Sequence, residues 1–179
     1  MRKLKNSELD RLDVEAFKAA KKSPIMVILD NIRSLNNIGS VFRTSDAFLI
    51  KHLFLCGITA TPPHNDIRKT ALGSTKSVDW SYAQDTATIV KQLKSQGVII
   101  CAVEQADRAT MLQNFKPEKN KSYAFVFGNE VKGVAQEVVN LCDHVIEIPQ
   151  YGSKHSLNIA VSTGVVLWDV FSKLTFKPE

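Results

Sequence analysis

Five short apolar runs punctuate the chain: IMVIL (25–29), LFLC (53–56), VIICAV (98–103), YAFVF (123–127) and HVIEI (144–148). The segments between them carry helical spacing or polar, glycine-bearing loops. Runs this apolar suit strands buried on both faces. Strands alternating with helical segments imply right-handed crossovers and a parallel sheet, so the expected class is α/β. In such sheets ligands sit beyond the carboxyl ends of the strands.

Helices are expected over 41–48, from Asp85 as a cap to Lys94 with Gly97 just past the end, near 135–141, and from about Ser156 to Ser172. Residues 57–77 read as an irregular loop broken by a short helix, and 105–121 as a polar connection. At the N-terminus, Ser7 and Asp10 resemble a capping pair, with Leu9, Leu12, Ala16, Phe17 and Ala20 at helical spacing behind them. We divide the chain into a basic helical extension, residues 1–22, and one domain, residues 23–179.

Charge bears on the partner. Of the formal net charge of +5, residues 1–22 hold +3, from seven Lys or Arg against four Asp or Glu. That balance suits a phosphate-rich partner or a solvated basic face. No apolar run reaches the ~18–20 residues of a membrane helix, and no signal-peptide pattern is present, so a soluble cytoplasmic protein is expected. The three cysteines form no Cys-x-x-Cys and the four histidines no ligand pair, so neither a disulfide nor a metal site is expected.

Three polar segments each follow a strand. In NIRSLNNIGSVFR (31–43), Asn36 or Asn37 can cap the next helix, and Arg43 is either a phosphate-gripping guanidinium or a surface arginine. In FGNEVKG (127–133), Gly128 permits close backbone approach and Glu130 accepts hydrogen bonds, unless the string is only a turn with a solvated glutamate. In IPQYGSKHSLN (148–158), Gly152 permits a reversal and Ser156 is a candidate N-cap. The helix beyond it is apolar nearly all round, as for one covered on two sides, and Gly164 sits in its middle. No Gly-x-Gly-x-x-Gly or Walker A loop occurs, which disfavours dinucleotide and nucleoside-triphosphate binding.

Together, in this order, the three segments resemble the SpoU-TrmH family of RNA ribose 2′-O-methyltransferases, within the SPOUT superfamily. Asn36 or Asn37, Gly39 and Arg43 match its first motif, and Gly128, Glu130 and Gly133 its second. Ile148, Pro149, Gly152, Ser156, Leu157 and Asn158 match its third, and KTALGS (69–74) is similar to its middle loop. The likeness covers roughly residues 23–172. Departures are Ser34-Leu35, where many members have an acid or asparagine before proline, and Gln150 for a common methionine. Larger relatives carry an N-terminal RNA-binding domain where this sequence has about 22 residues.

The resemblance implies a deep C-terminal trefoil knot, a homodimer, and S-adenosylmethionine bound in a bent form against Gly128, Ile148, Leu157 and Gly152. It implies methyl transfer to a ribose 2′-hydroxyl of RNA, transfer RNA ahead of ribosomal RNA. Arg43 then serves as base or as alkoxide and phosphate stabiliser. Asn37, Glu130, Ser156 and Asn158 shape the site, with Asn37 and Arg43 open to assignment to the partner subunit. Two other readings are a cofactor-binding RNA module without catalysis and a Rossmann-like oxidoreductase; the latter lacks the glycine fingerprint.

Overall fold

The computed structural model describes residues 1–176. Seven strands form one sheet: β1 (Ser23–Asp30), β2 (Ile50–Cys56), β3 (Trp80–Ala83), β4 (Ile99–Val103), β5 (Thr110–Met111), β6 (Tyr123–Phe127) and β7 (His144–Glu147). Their order is β3-β2-β1-β6-β4-β7-β5, and every pairing is parallel. The five apolar runs are all strands. The two strands not expected, β3 and β5, are short; β3 is half-exposed WSYA and β5 only two residues at the sheet edge.

Seven helices complete the fold: α1 (Val14–Ala19), α2 (Leu35–Ala47), α3 (Asn65–Ala71), α4 (Ser74–Ser77), α5 (Thr86–Ser95), α6 (Gln136–Leu141) and α7 (Ile159–Thr175). The strand period of two splits the core. Ile25, Val27 and Leu29 of β1 face a layer containing α2 and α7, including Ile38, Phe42, Val166 and Val170. Met26 and Ile28 face the opposite layer, with Val90 and Leu93 of α5 and Val138 of α6.

Several helix starts differ from expectation. α2 begins earlier than expected, and its cap is Ser34, whose hydroxyl accepts from the Asn37 N–H at 3.3 Å, not Asn36 or Asn37. α7 begins at Ile159, capped by the Asn158 side chain accepting from the Ala160 N–H at 2.8 Å, so Ser156 is not the cap. Asp85 caps α5 as expected, and Gly97 follows it at φ +78°. At the N-terminus a single 3-10 turn (Asn6–Glu8) precedes α1, which starts only after Asp13 as cap. The extension is not one amphipathic helix: Phe17 is buried, whereas Leu12 remains exposed. Burying that one ring contributes about 1.5–3 kcal/mol, enough to dock a short helix.

The chain leaves β1 toward β2 on one side and leaves β6 toward β7 on the other, so adjacent β1 and β6 mark the switch point of the sheet. Asp30 stands at this edge, 2% exposed. Its carboxylate accepts from the Thr86 hydroxyl (2.6 Å), the Asn31 amide (2.8 Å) and the Ala135 N–H (3.1 Å), joining β1 to the starts of α5 and α6. Replacing Asp30 by Ala strands buried donors. The expected loss is about 2–4 kcal/mol of unfolding free energy in urea titrations; a loss below about 0.5 kcal/mol removes this role.

Candidate active site

Register places the ends of four strands level: Leu29 pairs with Phe127, Val103 with Phe127, and Val103 with Ile146. The segments that follow β4, β6 and β7 enclose a cavity of about 970 Å³ at the carboxyl edge of the sheet, and no residue of the segment after β1 lines it. Gly128, Glu130, Ile148, Ser156, Leu157 and Asn158 all line it.

A relay of side chains binds three segments together. Glu130 accepts from the N–H groups of Arg33 and Ser34, both at 3.0 Å, and from the Asn37 amide at 3.2 Å. The Asn37 amide oxygen accepts from the Asn158 amide at 3.1 Å. Asn158 uses its own oxygen to cap α7. Partial burial pushes the Glu130 carboxyl up, but the donors from Arg33, Ser34 and Asn37 outweigh it and hold its pKa below the ordinary value near 4.5. Glu130 is exposed but not idle; it fixes the loop after β1 from 96 residues away.

The glycines carry different burdens from those expected. A Cβ on Gly128 would lie 2.1 Å from Gly133 C and Val134 N, so Gly128 is required by the loop folding back on itself, with Asn129 and Gly133 paired across an antiparallel bridge. Gly133 has φ +68°, and a Cβ there would meet the Glu104 carboxylate at 2.1 Å. Gly39 is required by helix packing: a Cβ would lie 2.1 Å from Thr70 Oγ1, which donates to the Asn36 carbonyl. Gly152 is exposed, does not line the cavity, and a Cβ on it would meet nothing within 4 Å.

Arg43 stands apart. It is exposed on α2, has no ion pair among the described residues, and does not line the cavity. Two site residues went unforeseen. Asn129 donates to the Asn31 carbonyl at 2.7 Å and accepts from the Val131 and Lys132 N–H groups. Glu104 accepts from the Val134 and Gln105 N–H groups, both at 2.9 Å, while the Gln105 amide donates to the His155 carbonyl at 2.7 Å. The only signal for Glu104 was an acid directly after an apolar run.

Comparison with known proteins follows from this geometry. The SpoU rRNA methylase family matches residues 24–168. The chain belongs to that family. A putative TrmH family tRNA/rRNA methyltransferase of Bacillus subtilis is 27% identical over 173 residues, 93% of this chain and 66% of the relative. A 23S rRNA (guanosine-2′-O-)-methyltransferase of Neisseria meningitidis is 28% identical over 161 residues, 87% of this chain and 61% of the relative. The chain thus spans under two thirds of the length of these family members. Among solved structures, a TrmH/SpoU tRNA modifying enzyme of A. aeolicus superimposes with TM-score 0.78 at 26% identity, covering 89% of this chain and 79% of that one. An AdoMet-bound rRNA methyltransferase of Sinorhizobium meliloti shares the fold, with TM-score 0.79 at 24% identity, covering 90% of this chain and 61% of that one.

A carboxyl with a depressed folded pKa contributes stability above its unfolded pKa, and that contribution disappears as pH falls through the folded value. The stability advantage of the wild type over Glu130→Gln should therefore be full at pH 7 and shrink below about pH 4.5. Thermal melts of both proteins from pH 7 to 3 measure it; a constant gap across that range overturns the assignment.

Proposed function

We propose that the protein transfers a methyl group from S-adenosylmethionine to a ribose 2′-hydroxyl of RNA. One observation carries the reading: the hydrogen-bonded relay Asn158–Asn37–Glu130 ties the first family motif to the second and third, which together line one cavity at the carboxyl edge of the sheet. The residues suit the cofactor. The cavity lies at the upper end of the ~300–1,000 Å³ usual for ligand sites. Its lining joins apolar Phe127, Ile148 and Leu157 to the acids Glu104 and Glu147, a mixture fit for a flat base and a cationic tail. S-adenosylmethionine supplies a methyl group on a sulfonium, a good leaving group.

What the chain adds is positioning and charge. Gly128, Ile148 and Leu157 line the cofactor's place, whereas Gly152 contributes only through the course of the 148–158 segment. Asn37, Glu130 and Asn158 hold the loop geometry, and Ser156 lines the pocket. Arg43 holds the substrate phosphate and steadies the developing alkoxide as the 2′-hydroxyl passes its proton to that phosphate; a guanidinium stays charged and is suited to that role.

Because Arg43 lies outside the cavity of its own chain, we infer that it serves the site of a second copy. An apolar stripe on α7 supports this: Val161, Val165 and Trp168 are 52%, 38% and 53% exposed and recur at one-turn spacing. Gly164 lies within this stretch, and a Cβ on it would meet nothing in its own chain. The reading includes the family's knot, supported by β7 lying between β4 and β5 while α6 and α7 pack on opposite faces. No described helix is long and apolar enough to cross a membrane, and we place the activity in the cytoplasm. Residues 1–22 form the RNA-facing extension and 23–179 the catalytic domain. Transfer RNA is the first substrate class, by likeness to the A. aeolicus enzyme, with ribosomal RNA as the second arm of the assay.

Methyl transfer from radiolabelled cofactor to total tRNA and to rRNA, with mapping of 2′-O-methyl positions, tests the activity; no incorporation into either overturns it. Arg43→Ala should lower turnover at least about 100-fold with cofactor affinity held within about twofold; near-normal transfer overturns its role. Light scattering should give about twice the 19.9 kDa chain mass at micromolar concentration. Val161→Glu should return the mass to that of one chain and abolish turnover, since an unpaired charge resists burial. A fully active monomer overturns the dimeric site.

A further inference from the structure

A second cavity, about 680 Å³, opens at the amino edge of the sheet, opposite the site. Its rim carries Lys18 and Lys22 from the α1 region, Lys51 at the start of β2 and Lys121 just before β6. Asp79 is the single acid that lines it, so the rim is +3, more than half the net charge of the whole chain. Lys22 is engaged: its ammonium donates to the carbonyls of Phe17, Lys18 and Ala20 and lies over the Phe17 ring, which ties α1 down. Lys18, Lys51 and Lys121 are exposed, and none is ion-paired among the described residues. Gln96 and Asn120 add neutral amides to the same rim. Nothing in the site at the carboxyl edge accounts for three lysines without an ion pair around a cavity at the far edge.

We infer that this cavity is a second RNA contact, which grips the phosphate backbone of the substrate away from the methylated nucleotide. The inference rests on the reading of RNA as substrate. Three exposed lysines and two side-chain amides around one cavity suit a phosphodiester backbone, whose charge recurs along the strand. The extension's own charge adds less than its composition suggests, because Arg2 is held by Glu8 through two hydrogen bonds at 2.6 and 3.0 Å. β1 spans eight residues at about 3.3 Å each, so the two edges lie roughly 25 Å apart. The RNA that touches both is a folded molecule, not a short strand, and Lys51 and Lys121 act as clamps on its body.

The test is Lys51→Glu with Lys121→Glu in the full chain, alongside Lys51→Gln with Lys121→Gln. Total tRNA from a strain lacking the protein is the probe, titrated from 50 to 200 mM salt. If each lysine meets one phosphate, losing both lowers the salt slope of log affinity by about 1.4–1.8. The wild-type advantage over the Gln pair should then shrink by about sevenfold or more across that range. Cofactor affinity and melting temperature should match wild type, since both side chains are exposed and lie across the sheet from the site. A wild type that methylates the RNA while both variants keep its affinity and salt slope overturns this inference alone. A wild type that binds no RNA overturns it together with the proposed activity.

Discussion

Backbone donors left over at the carboxyl edge of a parallel sheet set the terms for everything built there. Each strand ends in a loop whose N–H groups have no ladder partner, and burying them unmet is costly. Three carboxylates meet that need here. Asp30 takes the Ala135 N–H, Glu104 takes those of Gln105 and Val134, and Glu130 takes those of Arg33 and Ser34. Each acid binds backbone from an element distant in sequence or adjoining its own strand, so the loops after β1, β4 and β6 are held as one body. The cavity is the space between loops stiffened in this way.

That arrangement explains why acids surround a site whose proposed substrate is polyanionic. Glu130 spends its oxygens on three donors of the loop after β1 and the helix that follows. Cationic groups stand at the cavity itself, Arg108 and Lys132, and beyond it, Arg43 on α2 and the lysines at the far edge.

The five apolar strands were legible because each rests on composition local to one segment, and the parallel class and the family because alternation and motif order are written along the chain. Strands of two and four residues were not: β3 and β5 exist because neighbours offer a ladder edge, which no propensity within TM or WSYA announces. Helix caps were misplaced by a few residues, since Ser34 and Asn158 compete with nearby Asn36, Asn37 and Ser156 that have equal capping chemistry. The glycines were found but misread. Gly128 looked like a gap left for close approach, whereas its missing Cβ makes room for Gly133 and Val134, and Gly39, seen only as part of a motif, makes room for Thr70. Contacts between segments decide such matters, and one sequence does not carry them.

The place of β7 has a consequence for how the molecule is made. β4 and β5 both leave the ribosome before β7, yet β7 occupies the slot between them. The sheet therefore cannot zip up in the order of synthesis, and that slot has to stay open until residue 144 arrives. Pairings between segments so far apart in the chain form slowly. Ser156, Leu157 and Asn158 come later still, so the pocket is among the last parts of the newborn chain to take shape.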